Sequence, residues 1–70
     1  MKYLIVVEKT DTGFSAYSPD LPGCIATGAT REEVEQLMGE AMEFHLEGIR
    51  LEGQEPPPPR SYSLYVELTS

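Results

Sequence analysis

The run Tyr17-Ser18-Pro19-Asp20-Leu21-Pro22-Gly23-Cys24 leaves the backbone few options. Pro19 and Pro22 hold φ near about −65° and donate no N–H, so neither belongs inside a central strand. Asp20 brings a carboxylate that can cap its own turn, and Gly23 is free to take positive φ. A rigid turn is therefore expected between two extended segments. Beyond it, Ala26-Thr27-Gly28-Ala29 is small and extended, and Gly28 with Thr30 sets a helix entry. Glu33 follows Thr30 at the spacing of a capping box, in which each residue satisfies a free backbone donor near the other.

Around this segment the chain reads as β-β-β-α-β. Tyr3 to Glu8 is strand one, with Ile5 and Val7 on one face and Leu4 and Val6 on the other. Apolar residues on both faces predict a central strand. Lys9 to Gly13 is a hairpin loop in which Gly13 supplies positive φ. Phe14 to Ser18 is strand two and Cys24 to Ala29 strand three. The helix starts after Thr30, and Val34, Leu37, Met38, Ala41, Met42, His45 and Ile49 form its apolar stripe. It is expected to end near Glu52, with Gly53 in the left-handed cap position. Pro56 to Pro59 form a stiff, extended connection. An SH3-type ligand is the alternative for that run, but it joins two regular elements. Tyr62 to Thr69 alternates as strand four.

Three strands in an antiparallel meander, a covering helix and a right-handed crossover give an α+β fold. The expected product is a four-stranded mixed sheet of order 3-2-1-4 with the helix on one face. Tyr3, Tyr17 and Tyr65 are expected on the other face, which makes it a candidate association surface.

Size and charge narrow the function classes. A chain of 70 residues allows one domain, 1-70, with a small core, and its lone Cys24 forms no intrachain disulfide. Oligomerisation is the usual remedy for such a domain. With 12 acidic and 5 basic residues the formal net charge is -7, which opposes nucleic acid and anionic membranes and suits a basic partner. The same charge also serves solubility. No segment is long enough for a signal core or a membrane span, and with the single cysteine this predicts a cytoplasmic protein.

Catalytic chemistry finds little support. His45 and Cys24 stand apart without metal-ligand spacing, so no metal or other cofactor is expected. No basic neighbour in sequence lowers the Cys24 pKa, and no glycine-rich phosphate loop is present. The β-β-β-α-β order is shared with RNase H-like nucleases, whose carboxylates hold metal ions. Strand one here has only Glu8 at its end, which leaves a residual metal-dependent nuclease as a remote alternative.

The motif Tyr17 to Cys24, followed by Ala26-Thr27-Gly28-Ala29-Thr30 and a Glu-Glu helix start, resembles the HicB family of antitoxins. Leu46-Glu47-Gly48 and the proline-rich segment extend the resemblance over residues 3 to 69. It implies a truncated RNase H-like fold without nuclease activity. It also implies a role in neutralising a small basic HicA-like mRNA interferase by covering its catalytic histidine, and assembly into dimers or tetramers. Longer members add a DNA-binding domain; none is expected here, and so no direct contact with nucleic acid. Tyr17, Pro19, Asp20, Leu21, Pro22, Gly23, Cys24, Gly28 and Thr30 are the motif residues, with structural roles. Glu40, Glu43 and Glu47, with Tyr17 and Tyr65, are the candidate partner-binding residues. The alternative is an orphan HicB-like domain that binds another protein or a small ligand and has no toxin.

Overall fold

The computed structural model describes residues 1–69. Three strands, β1 (Val6–Lys9), β2 (Phe14–Tyr17) and β3 (Ile25–Gly28), precede one helix, α1 (Arg31–Leu51). The strands form an antiparallel sheet of order β1-β2-β3. Cross-strand rows follow from the register: Val7, Ala16 and Ala26 lie side by side, as do Val6, Tyr17 and Ile25. The first row faces α1, and the second faces away from it.

The helix begins where the local chemistry places it. The Thr30 hydroxyl oxygen accepts the Glu33 backbone N–H at 3.1 Å, while the Glu33 carboxylate reaches back to the Ala29 N–H at 3.4 Å. At the other end Gly53 takes φ 77°, and its N–H and that of Gln54 donate to the Arg50 and Ile49 carbonyls. This is the glycine-capped exit that satisfies the last carbonyls.

Val34 and Met38 are fully buried against Leu21, Ala16 and Cys24, with Ala41, Met42 and Leu46 packed around them. Gly28 lets the helix approach, since a Cβ there would lie 2.8 Å from the Val34 nitrogen. Gly13 serves packing too. It does not take the positive φ expected of it; its missing Cβ makes room for the Gly28 carbonyl.

The sheet has three strands among the described residues, so a fourth strand completing the order 3-2-1-4 is not seen there. Residues 62–69 pair with no strand, so among the described residues β1 is an edge of the sheet and not its centre. The side chains of this segment remain in solvent, from 69% exposure at Val66 to 97% at Tyr65. The chain is long, 50 × 27 × 16 Å with a radius of gyration of 14.0 Å. A compact domain of this length would have about 11 Å.

The helix is also longer than the sheet beneath it. Its 21 residues span about 32 Å, whereas a strand of 4 residues spans about 13 Å. It packs over β3 and β2 rather than β1. Its end therefore reaches beyond the sheet, where Leu51 is exposed.

Candidate protein-binding surfaces

The Pro-Asp-Leu-Pro-Gly turn joins β2 to β3 and buries its one large apolar residue. Leu21 is inaccessible to solvent, and its N–H and carbonyl bond the Ser18 carbonyl and the Cys24 N–H at 3.2 and 3.1 Å. The buried Ser18 hydroxyl donates to the Leu4 carbonyl at 2.8 Å, tying the turn to the residues entering β1. Gly23 takes φ 83°. Pro19, Pro22 and Gly23 stay exposed, whereas burial pushes the Cys24 thiol above its ordinary pKa and makes the reactive thiolate scarce.

Asp20 does not cap its own turn. One carboxylate oxygen accepts the backbone N–H groups of Arg60 and Ser61, both at 2.9 Å, and the other accepts the Ser61 hydroxyl at 3.1 Å. The Ser61 and Arg60 backbone donors hold the carboxyl below the ordinary aspartate pKa. Nearby, the Tyr3 hydroxyl donates to the Pro57 carbonyl. The proline run is thus strapped across the motif turn, and a shallow cleft is lined by Pro19, Asp20, Pro22, Pro57, Pro58 and Arg60.

Two outward surfaces remain. The first is the helix-free face of the sheet, where Tyr17 and Ile25 are 43% and 69% exposed beside half-buried Val6. Tyr3 is not on this face; it packs with Ile5 and Val7 against the core. Tyr65 is not there either, because its segment never joins the sheet.

The second surface is the outer side of α1. At about 100° per residue, Glu40, Glu43 and Glu47 fall on one face, opposite Val34 and Met38. All three glutamates are exposed, and Glu40 accepts a hydrogen bond from the Gln36 amide at 3.3 Å. Phe44 lies at the edge of that row, 80% exposed. Sequence reasoning missed this residue, although its phase, outside the apolar stripe, was visible. An exposed aromatic side chain with Glu40 four residues before it and Glu47 three after combines an apolar anchor with a field that attracts cations.

No group of three or more potential metal ligands occurs among the described residues. None of the helix in those residues is long and apolar enough to cross a membrane.

A family model described as the HicB_like antitoxin of bacterial toxin-antitoxin system matches residues 3–68. The chain belongs to the HicB-like antitoxin family. Among solved structures, it is similar to a chain of a HicA3 and HicB3 toxin-antitoxin complex, with a TM-score of 0.70 and 37% identity, over 84% of this chain and 70% of that one. Among curated relatives, an uncharacterized 14.9 kDa protein of Haemophilus phage HP1 is 35% identical over 66 residues, 94% of this chain. The chain spans 50% of that relative's length. A UPF0150 protein of Synechocystis is 39% identical over 56 residues, covering 79% of this chain and 71% of the relative. Another, from Thermoplasma acidophilum, is 29% identical over 58 residues, covering 81% and 84% respectively.

Proposed function

We propose that this HicB-like chain neutralises a small basic HicA-like toxin in the cytoplasm by covering its active site, without catalysing a reaction itself. The observation that carries this reading is the likeness, at 37% identity, to a chain from a toxin-antitoxin complex. The surface proposed for the toxin is the outer face of α1. There Phe44 enters an apolar depression of the partner while Glu40, Glu43 and Glu47 meet its cations. The -7 charge of the chain speeds encounter with a basic protein by long-range attraction.

Co-expression tests this. The product of a small basic reading frame beside the gene should arrest growth when induced alone, and co-induction of this chain should restore growth. Replacing Glu40, Glu43 and Glu47 by lysine should abolish the rescue while leaving the helical circular dichroism intact. Absence of such a frame, or arrest unrelieved by this chain, overturns the proposal and leaves an orphan binding domain.

A further inference from the structure

We propose that the proline run is a docking ligand for a second protein partner, one with an aromatic-lined groove and an acidic rim. Pro58, Pro59 and Arg60 enter that groove, with Pro19 and Pro22 of the motif turn beside them. The inference stands apart from the toxin reading, because it uses no residue of the outer face of α1.

The run is fixed in one shape before any partner arrives. Pro56 to Pro59 hold φ near about −65°. Pro56, Pro57 and Pro58 each precede a proline, which drives their ψ into the extended range. The product is a polyproline II helix of about three residues per turn, with no internal hydrogen bonds. Binding such a segment orders little that is not already ordered.

The domain holds this helix by its backbone. The Tyr3 hydroxyl donates to the Pro57 carbonyl, and Asp20 accepts the Arg60 and Ser61 N–H groups at 2.9 Å. Pro56 and Pro57 are half-buried against the domain, whereas Pro58, Pro59 and Arg60 are exposed. None of these bonds uses the Pro58 ring, the Pro59 ring or the Arg60 guanidinium. A role as a strap therefore leaves those three side chains unexplained. Among the described residues the guanidinium is in no ion pair.

The motif turn widens the surface. Pro19 and Pro22 face Pro57 and Pro58 across a shallow cleft of about 320 Å³, with Arg60 at its edge. That volume is at the low end of ligand pockets and suits one inserted side chain better than a whole small molecule. Proline rings are apolar and lose no rotamer freedom on contact.

These features select the partner's chemistry. Grooves that read polyproline are lined by aromatic side chains. A guanidinium beside the run stacks on an aromatic face and pairs with a carboxylate at the rim. The single cation at one end also sets the direction in which the run lies in the groove.

The test uses the purified full chain, carbon-labelled so that NMR sees its prolines. Two probes are added separately: an isolated WW domain and an isolated SH3 domain, each with acidic residues beside its aromatic groove. At least one should shift the ring signals of Pro19, Pro58 and Pro59 and the side-chain signals of Arg60, saturably, with a Kd below about 1 mM. Pro58→Ala combined with Pro59→Ala should weaken binding about tenfold or more, while Asp20 still protects the Ser61 amide. Arg60→Gln should weaken it about threefold. Pro19→Ala, outside the run, should act in the same direction, and Phe44→Ala should have no effect. No saturable shift with either probe, shifts confined to other surfaces, or binding indifferent to the proline and arginine substitutions overturns the proposal.

Discussion

Asp20 and Ser61 are joined by two hydrogen bonds, from the Ser61 backbone N–H at 2.9 Å and from its hydroxyl at 3.1 Å, to the two oxygens of one carboxylate. The motif turn therefore holds a segment far along the chain. Asp20→Ala removes every acceptor of this clamp without touching the core. Amide exchange at Arg60 and Ser61 should quicken about tenfold or more, while the amides of Val34 and Met38 keep their protection. Hydrogen exchange followed by NMR reads both sets at once.

The clamp also has a definite pH response. An unfolded aspartate titrates at about 3.9, and the backbone donors of Ser61 and Arg60 lower the folded value. A lowered acid contributes stability that is complete above the unfolded pKa and is lost as pH falls through the folded one. The Arg60 and Ser61 amide shifts should thus be constant through neutral pH and move together only below the ordinary aspartate value. In Asp20→Asn this transition should vanish.

Two glycines give opposite expectations. A Cβ at Gly28 would meet Val34 backbone at 2.8 Å, so Gly28→Ala must push the helix from the sheet and should cost about 1–3 kcal/mol. At Gly39, inside α1, a Cβ meets nothing within 4 Å, and Gly39→Ala should stabilise by about 1 kcal/mol through helix propensity. Urea unfolding of the two variants beside the parent checks both signs.

Cys24 is 4% exposed, and burial raises its thiol pKa. Alkylation by iodoacetamide at mildly alkaline pH should run at least about 100-fold slower in the native chain than in urea. Mass spectrometry of timed samples gives the ratio. Rapid native modification would contradict the buried placement of this thiol.

What the sequence conveyed was chiefly local. Thr30 with Glu33, and Gly53 beyond Glu52, announce the two ends of α1 because capping involves neighbours in the chain. The apolar run of strand one, and the turns that bound strands two and three, place the first three strands to within a few residues. The bonds of Asp20 were not legible, because its partners Arg60 and Ser61 lie 40 and 41 residues away and use backbone donors that every sequence has. The pattern of Tyr62 to Thr69 announced a strand but named no partner, and no pairing of it with β1 is seen among the described residues. Glu40, Glu43 and Glu47 were legible as a row. Phe44 was not legible as a contact residue, because a single apolar side chain outside the stripe carries no sequence pattern of its own.

The most direct test of the antitoxin account is equilibrium binding between this purified chain and the purified product of any small basic reading frame beside its gene, measured by calorimetry at two salt concentrations. The account predicts saturable association that weakens as salt rises, and that is lost when Glu40, Glu43 and Glu47 become lysine or Phe44 becomes alanine. No heat of binding to a folded, RNA-cleaving partner, or binding indifferent to all four of these side chains, would contradict it.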